Sequence, residues 1–296
     1  MENPYTPEAG AMPRQLVGRE GFRNAFTSLL EGLERGHAQQ SQLITGLRGT
    51  GKTVLLRDYV RTARARRWAV VDIDAARRDN QGFRRQMAFE FRSVLLAISP
   101  RSRWKSAAVA ASGVLGSFAS PLGTDSPLTA EWTELTPGSA DTGDLSADTT
   151  NMMLAIGEAA QDHSTGVVLV VDEIQQWTTD QLSALIDGLH RTYLRELPIT
   201  LVGAGLPRSD EIPADTQVRA NRLFEFPALD SLTDADLAEL LGNEQEWSDD
   251  AMATAVQITG GVPLFVQALG YVMWEKSGRS PVTQPGVLAA STSFED

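Results

Sequence analysis

Residues 46–53 of the chain read Gly46-Leu47-Arg48-Gly49-Thr50-Gly51-Lys52-Thr53, which fits the pattern G-x-x-x-x-G-K-[ST]. Glycines let the backbone curl so that its N–H groups face inward and surround an anion at the N-terminus of the next helix. In this pattern the lysine ammonium reaches the β- and γ-phosphates of a nucleotide, and the final hydroxyl ligates Mg²⁺. The stretch, called the phosphate loop below, predicts binding of a nucleoside triphosphate with magnesium by residues 46–53 and by Val54.

The sequence on either side of the phosphate loop supports this interpretation. A phosphate loop follows a buried strand and opens a helix. Residues 42–45 have the character of a strand, and residues 54–60 are largely apolar with helical character. This context disfavours the alternative of a glycine-rich turn that binds no ligand.

A second signal lies far downstream, where the apolar, β-branched run 167–171 ends in Asp172 and Glu173. Such a run is typical of a central parallel strand that is covered on both faces. Taken alone, the two acids are the solvated start of a loop. Together with a phosphate loop, they predict that Asp172 holds the Mg²⁺ shell and that Glu173 orients or deprotonates the attacking water. Lys52 and Glu173 are thus the predicted catalytic residues of a nucleotide hydrolase.

Composition narrows the class of protein. The 296 residues contain no cysteine, which excludes disulfides, thiol nucleophiles and cysteine-based zinc sites. The net charge is −12, although the first third of the chain is basic and the rest is acidic. The basic clusters of the first third are interpreted as solvated helix faces, with nucleic acid or an acidic subunit as the alternative. No secretory signal or convincing membrane span is found, so we expect a cytoplasmic protein without a membrane partner.

Alternation of strand-like and helix-like segments predicts the α/β class, namely a three-layer P-loop fold with a parallel sheet, followed by a small all-α lid. An N-terminal extension is expected over 1–17, the core over 18–228 and the helical lid over 229–277. A tail is expected over 278–296. Residues 101–148 lack a clear period and are expected to be a partly disordered or hairpin-like insertion in the core.

Several motifs together resemble AAA-type ATPases of the origin-recognition-like branch, close to the signal-transduction ATPases with numerous domains. These motifs are the phosphate loop, the acidic strand, and three further stretches at 16–20 (Leu-Val-Gly-Arg-Glu), 201–207 (Leu-Val-Gly-Ala-Gly-Leu-Pro) and 259–264 (Thr-Gly-Gly-Val-Pro-Leu). The resemblance covers roughly residues 12–276.

The resemblance implies that Val17 and Arg19 line an adenine pocket, that Pro263 starts the lid helix over the base, and that the nucleotide is ATP. It also implies that Arg219 or Arg222 acts as an arginine finger, although surface solvation or a salt bridge would explain these arginines equally. The polar sensor after the fourth strand and the lid arginine of many relatives are missing. We therefore expect hydrolysis to be slow or stimulated by a partner.

The leading functional hypothesis is an ATP-driven switch that acts on a protein or nucleic-acid partner or through self-association. One alternative is an origin-recognition-like module that ATP clamps on DNA, which the acidic chain does not favour. Another is a nucleotide-binding structural subunit without turnover. A small-molecule kinase is disfavoured because the predicted lid is acidic and nearly devoid of arginine.

Overall fold

The computed structural model describes residues 2–75, 79–98, 105–122, 139–205, 214–278 and 280–291. Five strands lie in this part of the chain: β1 Ser41–Ile44, β2 Ala69–Asp74, β3 Val167–Asp172, β4 Ile199–Ala204 and β5 Phe224–Glu225. The α-helices are α1 Glu20–Glu34, α2 Lys52–Ala65, α3 Asn80–Ile98, α4 Ser106–Ala119, α5 Leu145–Asp162, α6 Thr179–Leu194, α7 Ala214–Leu223, α8 Asp234–Gly242, α9 Asp249–Thr259, α10 Pro263–Ser277 and α11 Gln284–Ser291.

The strands form one parallel sheet in the order β2-β3-β4-β1-β5. Val170 of β3 pairs with Val202 of β4, which pairs in turn with Gln42 of β1. Because β3 is apolar along its length, it is buried at every position except its last residue, Asp172. Parallel strands joined through helices confirm the predicted three-layer α/β class.

Two compact units divide the chain, and the first contains residues 26–44 and 59–227 with the whole sheet. Its core joins one face of β3, formed by Val167, Leu169 and Val171, to helices α3, α4, α5 and α6. Phe83 of α3 packs edge-on against Trp177, with ring centroids 5.4 Å apart. At the start of β3, the Trp68 ring lies so close to Gly166 that a Cβ there would come within 2.3 Å of it.

The second unit contains residues 1–25, 45–58 and 228–296, and thus holds both the phosphate loop and helices α8 to α11. Side chains cap two of these helices: Thr233 and Asp236 form a capping box at α8, and the Ser248 side chain caps α9. One expectation is wrong for the described residues: part of the supposed tail forms α11, which buries Val287. Tyr5, in the expected N-terminal extension, is buried in the same helical core.

The expectation of a partly disordered or hairpin-like insertion at 101–148 is also wrong for residues 106–119, which form α4 in the sheet unit. The helix is short of charges and rich in small residues, so its packing rather than its sequence period determines it. Residues 123–138 of this segment lie outside the described chain. No helix in the described ranges is long and apolar enough to cross a membrane.

A buried ion pair fixes the inserted segment to the sheet unit. Arg84 of α3 donates to Asp148 of α5 at 2.6 Å, and to the carbonyl oxygens of Phe118 and Ala140 at 3.0 and 3.1 Å. Burial raises the pKa of Asp148, but hydrogen bonds from Arg84 and Thr142 outweigh it, so the pKa lies below its usual value. The pair therefore ties α3, α4 and α5 together.

We expect Asp148→Asn to lower the free energy of unfolding by about 3 kcal/mol at pH 7, because it leaves the Arg84 charge buried without its partner. Since the native pKa of Asp148 is lowered, this contribution is present above the usual pKa of 3.8 and disappears as the pH falls through the native pKa. Urea titrations of the unmodified protein and of Asp148→Asn at several acidic pH values measure how the difference between their free energies of unfolding decreases. Glu158 lies on the same helix as Asp148 and forms an exposed ion pair with Arg195. Glu158→Gln is therefore the control, and we expect it to change the free energy of unfolding by less than about 1 kcal/mol.

Candidate functional site

The phosphate loop connects β1 to α2, and its conformation requires glycine. Positive φ angles of 154°, 81° and 93° occur at Gly46, Gly49 and Gly51. A Cβ at Gly46 would lie 2.5 Å from the Leu229 carbonyl oxygen, and one at Gly49 would lie 2.9 Å from Val262. The loop ends where α2 begins, so its amides join the positive end of a helix dipole.

Lys52 is the first residue of α2, and its ammonium lies against the curl of the loop. Its Nζ donates to the carbonyl oxygens of Gly46 and Leu47, both at 2.8 Å. The Thr50 hydroxyl donates to the same Leu47 oxygen at 2.9 Å. These bonds hold one positive charge at the curl, where the sequence predicted a phosphate contact.

The remaining predicted residues of the loop fall into two groups. Leu47 and Arg48 at its tip are exposed, with Leu47 76% accessible. Thr53 and Val54 are half-buried in the first turn of α2. Since the tip side chains face solvent, the loop's capacity to bind an anion resides in its main chain and in Lys52.

The residues expected around adenine belong to the same compact unit as the loop. Val17 is buried in the helical core, and Pro263 is the first residue of α10. Arg19 is buried, and its guanidinium donates to the carbonyl oxygens of Thr50 at 3.2 Å and Asp230 at 2.8 Å. Burial lowers the pKa of Arg19 in spite of nearby carboxylates. Contact of these residues with a base remains a prediction.

The acidic pair lies at the end of β3. Asp172 accepts a hydrogen bond from the Glu173 amide at 2.9 Å, and Glu173 adopts the left-handed conformation with φ 52°. A positive φ in a residue other than glycine costs on the order of 1 kcal/mol and often marks a functional site. The turn leaves Asp172 half-buried and the Glu173 side chain exposed, so the two carboxylates face different surroundings.

Gln175 is a site residue that the sequence did not reveal. Its Nε2 donates to the Glu173 carboxylate, while its Oε1 is buried without a hydrogen-bond partner among the described residues. Gly205, directly after β4, makes room for this amide, since a Cβ there would lie 2.0 Å from Oε1. The available signal was the glycine that stands where many relatives have a polar sensor.

The strands that precede the two motifs end at the same edge of the sheet. β1 and β3 run parallel with β4 between them, so both end at the carboxyl edge of the sheet. β3 ends there in Asp172, and the chain continues from Ile44 of β1 directly into the phosphate loop. The crevice outside this edge is where open α/β sheets bind ligands.

The two candidate finger arginines lie on α7. Arg222 is exposed in the last turn, and its carbonyl oxygen accepts a hydrogen bond from the Gln40 side chain at 2.9 Å. The side chain of Arg219 lies outside the described part of the structure. A role for either residue in a neighbouring subunit's reaction remains a prediction.

The family follows from comparison with known proteins. A model of the AAA ATPase domain matches residues 15–202, more than half of the chain. The chain belongs to this family. It is therefore a P-loop ATPase, as the phosphate loop and the parallel sheet predicted. No curated protein sequence matches the chain.

Solved structures share the fold at low sequence identity. Cdc6p from Pyrobaculum aerophilum is 18% identical with a TM-score of 0.55, over 97% of this chain and 66% of that protein, so the chain spans about two thirds of its length. ORC2 from Aeropyrum pernix, solved as ADPNP-ADP complexes, is 13% identical over 97% and 70%, with a TM-score of 0.58. RuvB from Thermotoga maritima, a Holliday junction branch migration motor, is 16% identical over 94% and 70%, with a TM-score of 0.50. These similarities show that the chain shares its fold with these proteins.

We expect Lys52→Ala to weaken ATP binding by about 2–4 kcal/mol, because a charge-assisted contact to phosphate is lost. Isothermal titration calorimetry measures the change. Lys276→Ala, which removes an exposed lysine of α10, is the control and binds ATP like the unmodified protein. Equal ATP affinity of Lys52→Ala and the unmodified protein would contradict the assignment of the loop.

Proposed function

We propose that the chain uses Mg²⁺-dependent binding of ATP and its hydrolysis to ADP and phosphate as a conformational switch on a protein or nucleic-acid partner. One observation carries this proposal: the phosphate loop is hydrogen-bonded directly to the lid polypeptide. Leu264 of α10 donates its amide to the Gly49 carbonyl at 3.2 Å, and Leu229 donates to Thr45 at 2.7 Å. A ligand that changes the loop must therefore act on the start of the lid as well.

Binding of the triphosphate rests on the main chain of the loop. Its amides and the N-terminus of α2 attract the phosphate oxygens. The ammonium of Lys52, which contacts Gly46 and Leu47, is free to exchange a carbonyl partner for a phosphate oxygen because both are hydrogen-bond acceptors. This exchange links the conformation of the loop to the bound phosphate.

The proposed magnesium ligands are the Thr53 hydroxyl and the Asp172 carboxylate. Both supply hard oxygen atoms, which suit Mg²⁺ together with phosphate oxygens and water. A bound Mg²⁺ would supply positive charge that offsets the negative charge of the phosphates. The residues present fit this cofactor in their chemistry.

Glu173 is the proposed general base, with Gln175 as its positioning residue. The Gln175 amide donates to the carboxylate and restrains it without protonating it. The carboxylate keeps a second oxygen with which to accept a proton from the attacking water. Gln175 thus supplies a polar group next to the end of β4, where the expected sensor is missing.

Two further candidate functions remain. A DNA-clamping module is suggested by the shared fold with Cdc6p, ORC2 and RuvB, but the net charge of −12 opposes it unless a basic partner takes part. A structural subunit without turnover would bind ATP and leave it intact. For the switch we propose a cytoplasmic protein that acts through a protein partner or self-association.

We expect Glu173→Gln to bind ATP with unchanged affinity and to lower kcat by 10² or more, since a general base contributes on the order of 10²–10⁴ to the rate. Phosphate release and ATP affinity are measured with and without duplex DNA. Recovery of a protein partner with Glu173→Gln, the trapped variant, only when ATP is present supports the switch.

Each alternative gives a different result in this experiment. ATPase stimulation by DNA, with DNA retained on the trapped variant, favours the DNA-clamping module. Absence of turnover in the unmodified protein, alone and with the recovered partner, favours the structural subunit. High basal turnover of the unmodified protein would contradict the expectation of slow or stimulated hydrolysis.

We expect Gln175→Leu to lower kcat about tenfold with little change in ATP affinity, because the Glu173 carboxylate loses a hydrogen-bond donor of the strength expected for a charged acceptor. We expect Gly205→Ala to lower kcat about as much as Gln175→Leu does, since the added methyl group displaces the Gln175 amide. Single-turnover hydrolysis separates the two parameters. Gln176→Leu, in the same 3₁₀ helix Ile174–Gln176, is the matched control. If Gln175→Leu hydrolyses ATP at the normal rate, Gln175 does not position the base.

A further inference from the structure

Arg19 joins two separate stretches of main chain within the second unit. Its Nη2 donates to the Thr50 carbonyl in the phosphate loop at 3.2 Å and to the Asp230 carbonyl before α8 at 2.8 Å. The residue is only 6% exposed. Its donors therefore bind backbone oxygen atoms in a buried setting, where a lost partner is not replaced freely by water.

The bond to Thr50 fixes more than one carbonyl group. A trans peptide is planar, so the C=O of one residue and the N–H of the next point in opposite directions. The described backbone contains no cis peptide. Because Arg19 holds the Thr50 oxygen, the Gly51 N–H of the same peptide points away from the Arg19 guanidinium. Gly51 has φ 93°, a conformation that other residues rarely adopt.

The preceding peptide is held in the same way by the lid. The Gly49 carbonyl accepts from the Leu264 amide of α10 at 3.2 Å, which directs the Thr50 N–H the opposite way. Two successive amides of the phosphate loop are thus oriented by groups outside it. The restraint through Arg19 involves Asp230, which lies shortly before α8, and the other involves Leu264 in the first turn of α10.

The residues before Arg19 place it accurately. Val17 is anchored in the helical core. Gly18 has φ 70° and passes so close to the Asp236 side chain that a Cβ would lie 2.7 Å from its carboxylate. Because residue 17 is fixed by apolar packing and residue 18 by lack of space, the Arg19 side chain enters between the loop and Asp230 in one direction.

We propose that Arg19 is a positioning residue that orients the Gly51 amide for phosphate binding and makes this orientation depend on the lid segment at Asp230. The proposal rests on nucleotide binding by the phosphate loop and differs from a contact between Arg19 and adenine. A base contact adds affinity for ATP alone. An oriented amide adds affinity for every ligand that carries the same phosphates.

The test compares Mg-ATP with magnesium tripolyphosphate, which has the phosphates without the nucleoside, by calorimetry on the full chain. We expect Arg19→Ala to weaken both ligands by the same factor, about tenfold. Arg23→Ala, which breaks a half-exposed ion pair with Asp58 in the same unit, is the control and binds both normally. Arg19→Lys keeps a positively charged hydrogen-bond donor, the ammonium group, and is expected to bind both ligands with intermediate affinity.

Hydrogen exchange of the same variants supplies a second readout that does not depend on ligand. We expect faster exchange in residues 47–51 and 229–232 of Arg19→Ala, and intermediate exchange in Arg19→Lys. A loss of ATP affinity with normal tripolyphosphate affinity overturns the proposal in favour of a base contact. Normal affinity for both ligands in Arg19→Ala overturns it as well.

Failure of the proposed function gives a different pattern. Lys52→Ala must lose both ATP and tripolyphosphate if the loop is the binding site. Retained binding in Lys52→Ala contradicts the proposed function itself. Loss in Lys52→Ala with normal binding in Arg19→Ala contradicts only the role of Arg19.

Discussion

The orientation of the peptide planes in residues 46–51 is the constraint on which the site depends. A single peptide cannot turn its amide inward unless its carbonyl faces outward, and each outward carbonyl needs a hydrogen-bond partner. For the carbonyls of Thr50 and Gly49, the partners are supplied by Arg19 and by the amide of Leu264. The anion-binding face of the loop is therefore prepared from its opposite face.

Burial of the acidic strand β3 fixes the position of the second part of the site. Five apolar residues of β3 are fully covered, which gives its carboxyl end a fixed place in the sheet. The left-handed turn at Glu173 then separates two adjacent carboxylates, so that one is suited to a metal and the other to a water molecule. Gln175 fills the space that Gly205 leaves beside β4 and restrains Glu173. A polar group missing from one strand is thus supplied by the neighbouring loop.

Local patterns predicted most of the fold, because strand runs, helix caps and the phosphate loop are determined over a few residues. Thr233 and Asp236 form their capping box with partners three residues apart, which sequence spacing shows directly. The insertion was misread for a physical reason: α4 is rich in alanine, glycine and serine, and its helical state depends on packing around Arg84 and Asp148. The same holds for Tyr5 and α11, whose burial involves partners far away in sequence.

By itself, the sequence determined the chemistry of the site: a glycine-rich curl with a lysine, and two acids after a buried strand. It also determined the class of fold, since the strand and helix periods are local properties. Only the tertiary structure decided which groups hold these residues in place. Gln175 reaches Glu173 through a turn, and Arg19 reaches Thr50 and Asp230 across large separations in sequence. Such contacts depend on the packing of segments that are far apart in the sequence, so no short sequence pattern predicts them.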